Sequence, residues 1–378
     1  MTSIRGPRGG SPHADDERHA GAPLQPRLTG GPACSTVVAR IETLTSRWSA
    51  TAAVGFTGAA ALAFVLVRPP VGDFWAAQAR QYAALHGVGL NYWFGWFGGT
   101  VPGHYSILAP FLLQVVDPAV LGAASTVAGV ALCRRLLRGS AHGMVAAWAA
   151  AIGGTFSLWS GRVPFALGTA LMLAGVVAVV ANKRGWATAA GAASALVSPV
   201  SGAFLALGLC GVALHDRDRR ATALWAGGAA GGSLIAAGLY FGLPGSEGFP
   251  VSHGMLAAAT TALLLLARPP AVVRTVVILS VVACPLLIVV PNGMGTNFER
   301  FVWICLPVAV VATGQARRAL VYGASAIALG AVFLGYAYRL RAQVRSDGKV
   351  APMALFKWSN TYLSLLFLAV AVDALVLH

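Results

Sequence analysis

Few residues of this chain can do chemistry, because only 10% of its 378 residues are charged: 27 Lys and Arg against 12 Asp and Glu. Asp73 is the one acid in the stretch Pro69-Pro-Val-Gly-Asp-Phe-Trp-Ala-Ala-Gln-Ala-Arg-Gln-Tyr-Ala-Ala-Leu-His86. A carboxylate within reach of an acceptor hydroxyl can take its proton during a displacement. At the head of a short helix the same residue is an ordinary N-cap. The run Asn91-Tyr-Trp-Phe-Gly-Trp-Phe97, followed by glycines and then His104-Tyr105, concentrates aromatic rings, with Trp93 and Trp96 at its centre. Such rings anchor a protein at the headgroup level, and they also stack on apolar ligand faces. Arg162, in Trp159-Ser-Gly-Arg-Val-Pro164, and Arg300 are cations suited to a phosphate, because a guanidinium matches that anion in shape and charge. Asn297 and Glu299 stand beside Arg300, where Glu299-Arg300 reads equally as a pair at the membrane edge. Glu247, His253 and Asn292 are further polar candidates. The P-loop, HExxH, GxSxG and strand-linked GxGxxG patterns of soluble enzymes are missing from the sequence.

The elements that must position these residues are apolar. The AVILMFWYC set makes up 57% of the chain, and charges are too scarce to cover a water-facing surface. This excludes a soluble globular protein, a coiled coil and a wholly disordered chain. An all-α, polytopic membrane protein remains. Hydropathy places spans at 49–67, 105–133, 143–159, 164–181, 222–242, 251–267, 273–290, 301–315, 319–338 and 358–377, about ten in all, with Asp117-Pro118 interrupting the second. Residues 1–48 are rich in Gly, Pro and Arg and read as a disordered cytoplasmic tail ahead of a transmembrane domain over 49–378, whose first outer loop covers 68–104.

The segment 187–214 lies between Asn182-Lys-Arg184 and His215-Asp-Arg-Asp-Arg-Arg220. With both basic flanks on one side, a single span cannot connect them. Ser198-Pro-Val-Ser-Gly202 then divides a broken or re-entrant pair, about 187–197 and 203–214; the alternative is one full span with a different topology. Placing the N-terminus inside puts 18 Lys and Arg in the cytoplasm and 9 outside, five of the nine in the single loop that holds Arg339, Arg341, Arg345, Lys349 and Lys357. That asymmetry predicts a multi-pass protein of the cell membrane with a cytoplasmic N-terminus. The formal net charge of +15 therefore belongs to membrane topology. Arginines fall in short clusters between apolar runs, without a basic stripe, so nucleic acid is not an expected partner. The five cysteines, Cys34, Cys133, Cys210, Cys284 and Cys305, are widely spaced without a CxxC and read as packing residues, so no metal site is indicated.

One acid just past the first span, a long outer loop and about ten spans with short or broken helices together resemble the GT-C superfamily of membrane glycosyltransferases. The stretches Gly103-His-Tyr-Ser-Ile-Leu-Ala-Pro110, Gly161-Arg-Val-Pro-Phe-Ala-Leu-Gly168 and Ser198-Pro-Val-Ser-Gly202 are also similar to those of actinobacterial multi-pass membrane proteins. The resemblance implies transfer of a sugar from a polyprenyl-phosphate donor to an acceptor of the cell envelope, with membrane lipid as a partner. Asp73 would then serve as the catalytic acid or base. His104, Tyr105, Trp93, Trp96, Arg162, Asn297, Glu299 and Arg300 would bind the substrate. The resemblance fixes no cofactor; a divalent cation on Asp73 is the one candidate, though one acid makes a poor site for it. Two other classes fit the same spans: a transporter or lipid flippase with a midplane site at Asp117 and Ser198, and a non-catalytic membrane subunit. An outer cleft containing Asp73 points to the enzyme, and a midplane cavity to transport.

Overall fold

In a computed structural model, residues 51–93, 106–140, 142–242, 249–290 and 292–313 are described, all within the unit Ser46–His378. The described residues form helices and connecting turns, with no strand among them. The chain is an all-α, multi-pass membrane protein. Five of these helices are long and apolar enough to cross a bilayer, or six when the bent pair α1 (Thr51–Val67) and α2 (Gly72–Leu85) is counted as one span. The five are α4 (Pro118–Leu136), α6 (Val163–Val180), α9 (Arg220–Phe241), α11 (Ala271–Val289) and the composite α12 (Gly295–Thr313). Shorter helices complete the set: α3 (Ala109–Leu113), α5 (Gly143–Trp159), α7 (Arg184–Val197), α8 (Pro199–His215) and α10 (Val251–Leu263). Of the ten expected spans, eight fall wholly or mostly on described residues, where five or six helices reach full length. The expected spans 319–338 and 358–377, the 339–357 loop and the 1–48 tail lie outside the described residues.

Proline sets two of the breaks. Asp117 closes the interruption between α3 and α4: its Oδ1 accepts the amides of Ala119 at 2.8 Å and Val120 at 3.4 Å, with Pro118 as the first helical residue. Its other oxygen pairs with Arg68 at 3.1 Å, at the end of α1. Ser198, which precedes Pro199, is extended (φ −146°, ψ 107°). The chain reverses there. Gly202 comes so close to Ala195 that an added Cβ would stand 2.5 Å from the Ala195 Cα, so α7 and α8 form a hairpin. This is the broken pair expected over 187–214, with the second arm starting at Pro199 instead of 203. Its tip is tied down by Ser194 Oγ donating to the Gly168 carbonyl (2.9 Å) and by the Ile107 and Leu108 amides donating to the Leu196 carbonyl (2.8 and 3.2 Å).

The hairpin packs between α6 and α9, and α6 and α12 are about half buried against only 11% for α9. Small residues permit the close crossings: Gly175 meets Ala190, and Gly211 meets the Val272 carbonyl. Ten cations, Arg134, Arg135, Arg138, Lys183, Arg184, Arg217, Arg219, Arg220, Arg268 and Arg274, belong to the turns at one end of the bundle. Cross-links such as Asn182 Nδ2 to the Asp218 carbonyl (3.4 Å) and His215 to Thr275 (2.7 Å) hold those turns together. There the Arg219 side chain and amide bond to Asp216 and hold its carboxyl below the usual range. The other end carries Arg68, Arg80, Arg162 and Arg300.

Candidate functional site: a cationic cleft

Helix α2 begins at Gly72, with Val71 as its N-cap and no side-chain cap. Asp73 is thus in the first turn and is not the cap, which corrects one of the two sequence readings. The helix turns 64° from α1 and buries Phe74, Ala77 and Ala84. Gln81 lies on the same face, its Nε2 donating to the Leu113 carbonyl at 3.1 Å, while Gln114 Nε2 donates back to the Ala84 carbonyl at 2.9 Å. Tyr82 and Leu85 are exposed, because the buried stripe follows positions 74, 77, 81 and 84.

The turn between α5 and α6 presses on the start of α2. Gly161 has φ +84°, and a Cβ there would run into the Phe74 backbone, standing 2.7 Å from its Cβ. Only glycine allows both the left-handed geometry and the close approach. The next residue, Arg162, is thereby brought to Asp73, and its Nε donates to Asp73 Oδ2 at 3.1 Å. On the far side, Asn292 Oδ1 accepts the amides of Met294 (2.9 Å) and Gly295 (3.0 Å), folding the chain into the start of α12.

These elements enclose a cleft of about 290 Å³. Asp73, Arg80, Trp93, Ser106, Arg162, Phe165, Thr296, Asn297 and Arg300 all line it. Three guanidinium groups face one carboxylate, and that carboxylate is already paired. The Arg80 guanidinium lies 4.5 Å from the Trp93 ring centre and that of Arg300 lies 5.1 Å from the Phe165 ring centre, so both are held by aromatic faces. The N-terminus of α6, with no side-chain cap, opens at Arg162 and adds the positive end of its dipole. Together these groups suit a multiply charged anion such as a phosphate or diphosphate.

A second cavity of about 160 Å³ adjoins the cleft. Its walls come from α4 (Gly129, Cys133), α5 (Gly153, Gly154), α6 (Ala166, Met172) and α12 (Ile304, Cys305), and Phe165 and Arg300 line both spaces. Of the described cysteines, all free, Cys133 and Cys284 are buried as packing residues, Cys305 is half-buried and Cys210 is exposed.

Of the residues singled out in the sequence, the structure brings Asp73, Trp93, Arg162, Asn297 and Arg300 together. Trp96, His104, Tyr105 and Glu247 lie outside the described residues. Glu299 does not face the cleft: it is buried, and its Oε1 meets His253 Nδ1 at 2.7 Å. It therefore ties α12 to α10 rather than lining the cleft with Arg300. Arg80, Ser106 and Thr296 had not been singled out. Arg80 was within reach of pattern reasoning, since it stands seven residues after Asp73 and so shares its face of α2. Ser106 and Thr296 carry no local signal.

Matches to known proteins cover only part of the chain. It is 38% identical over 95 residues to the protoheme IX farnesyltransferase of Salinispora tropica, covering 24% of this chain and 30% of that protein. With the protein of that name from Cutibacterium acnes it shares 38% identity over 97 residues, 24% of this chain and 29% of the relative. The Mycobacterium tuberculosis counterpart is 33% identical over 96 residues, 25% of this chain and 31% of the relative. The chain thus spans less than a third of the length of these relatives. No family model matches, and no solved structure does.

These matches overturn the expected activity. The relatives are named for moving a farnesyl group, not a sugar, so the resemblance to sugar transferases of the cell envelope does not hold. A transporter or flippase and a non-catalytic subunit do not match a transferase either. The geometry agrees on the transporter: Asp117 spends its carboxylate on a helix cap and on Arg68, and Ser198 is buried at the tip of the hairpin, so neither lines the cleft or the pocket beside it.

Proposed function

We propose that the chain is a membrane-embedded transferase that acts on a prenyl diphosphate and moves its prenyl group. The observation that carries the reading is the convergence of Arg80, Arg162 and Arg300 on one cleft. The stretch shared with proteins named for farnesyl transfer supports it. In the proposed step the bond between C1 of the prenyl group and its phosphate oxygen breaks, and the electron pair leaves with the diphosphate. The three guanidinium groups stabilise that departing charge. The acceptor supplies the electron pair for the new bond to C1, and Asp73 takes the proton that the acceptor gives up. Trp93 and Asn297 flank the reacting end. Asp73 alone, and paired with Arg162, is a poor donor set for a resident divalent cation, and no group of three His, Cys, Asp or Glu assembles among the described residues. The arginines meet the charge instead.

We place the protein in the cell membrane, with the ten-cation end and the N-terminus in the cytoplasm and the cleft on the outer side. A donor there reaches the cleft from within the bilayer, as suits an isoprenoid lipid. The test is transfer of label from radiolabelled farnesyl diphosphate, offered a porphyrin acceptor and total membrane lipid, in membranes with and without this protein. Label entering an extractable product only when the protein is present supports the reading. Equal incorporation in both membranes overturns it.

A further inference from the structure

We infer that the apolar cavity beside the cleft is the seat of the donor's hydrocarbon chain, at the end nearest the diphosphate. The inference rests on the prenyl-diphosphate reading of the cleft. A partly open pocket of about 160 Å³ lies among four helices. The wall has room at Gly129, where a Cβ would be 3.8 Å from its nearest neighbour, Leu173 Cδ1, whereas Gly153 packs closely, an added Cβ there coming 2.9 Å from Ile304 Cγ2. Of the hydroxyls on its wall, Thr126 Oγ1 donates to the Gly122 carbonyl at 2.8 Å and Thr169 Oγ1 lies 3.5 Å from Ser201 Oγ, while Ser157 Oγ is buried without a hydrogen-bond partner among the described residues. Most of the remaining lining is carbon, and such a space favours a hydrocarbon over a polar group. What points to the occupant is adjacency to the cleft. Phe165 and Arg300 line both spaces, with the guanidinium over the ring. A ligand held there has an anionic end among the arginines and a hydrocarbon end past Phe165. Met172, with its adaptable thioether, lets the wall follow a branched chain.

The consequence is a measured preference for chain length. Each methylene transferred from water into the cavity tightens binding about fourfold, until the space is full. The experiment is equilibrium binding to the purified full-length protein of inorganic diphosphate and of dimethylallyl, geranyl and farnesyl diphosphates. It is run on wild type and on two variants that fill the cavity from different helices, Gly129→Leu on α4 and Val308→Phe on α12, both residues lining it. Wild type is expected to bind the prenyl compounds progressively more tightly than inorganic diphosphate, with the gain flattening at the longer chains. The filled variants are expected to keep the affinity for inorganic diphosphate and to lose at least about tenfold of the prenyl gain. A prenyl gain that is absent in wild type, or untouched in both variants, places the chain elsewhere and overturns the inference while leaving the cleft reading intact. Failure of wild type to bind inorganic diphosphate removes the cleft reading itself, and the inference with it.

Discussion

Arg162 and Asp73 are neighbours in space though 89 residues apart in the chain. Both side chains are only partly covered, 33% and 47% exposed, so the pair contributes no more than about 1 kcal/mol to stability. The two residues should therefore separate function from folding. Arg162→Ala is expected to weaken binding of inorganic diphosphate by roughly 10- to 150-fold, the worth of hydrogen bonds to a charged group, with the thermal midpoint barely moved. Calorimetric titration of the two proteins checks this, and unchanged affinity would remove Arg162 from the anion site. Asp73→Asn is expected to fold and insert normally while the transfer rate falls roughly 10²- to 10⁴-fold. Full transfer activity in that variant would leave Asp73 as a partner of Arg162 and nothing more. The residue types that could hold an anion were legible in the sequence: Arg162 and Arg300 stand out in a chain so poor in charge. Their pairings were not. Glu299 sits beside Arg300 in sequence yet bonds to His253, because a helical turn sends adjacent side chains in different directions.

Breaks in the helices decide where those residues end up. Two were legible from local chemistry alone. Asp117-Pro118 is a capping acid before a residue that favours the first turn, and the structure uses it so. Ser198-Pro199, between two basic flanks, divides the hairpin because proline forces its predecessor out of helical geometry. The pressing of Gly161 on Phe74 was not legible, since it depends on a tertiary contact that no spacing encodes. That contact yields a prediction about the element rather than the side chain. Gly161→Ala is expected to cost about 1–3 kcal/mol from backbone strain, and more from the clash with Phe74. It should also weaken diphosphate binding, because the α5–α6 turn carries Arg162. A thermal melt and a binding curve on the same preparation read both effects. An unchanged melting temperature would show that the turn relaxes freely and that glycine is not required there.

At the scale of the whole molecule, composition gave the class of protein, and hydropathy gave most of its helices. The number of full-length spans was harder, because apolar runs such as 143–159 and 251–267 make helices of no more than 17 residues, at the lower limit for crossing a bilayer. Charge asymmetry carries over into space, with ten cations at one end of the bundle and four at the other among the described residues. In a background lacking the native cysteines, Val88→Cys should react with an impermeant thiol reagent in intact cells, and Arg217→Cys should not. The reverse labelling pattern would invert the protein and put the cleft in the cytoplasm. The central claim is that the cationic cleft holds the diphosphate of a prenyl donor. Equilibrium binding of radiolabelled farnesyl diphosphate to purified wild type and to the double variant Arg162→Ala, Arg300→Ala tests it most directly. The account predicts saturable binding to wild type, displaced by excess inorganic diphosphate and weakened at least about 100-fold in the double variant. Binding of equal strength in the double variant, or binding that inorganic diphosphate cannot displace, would contradict it.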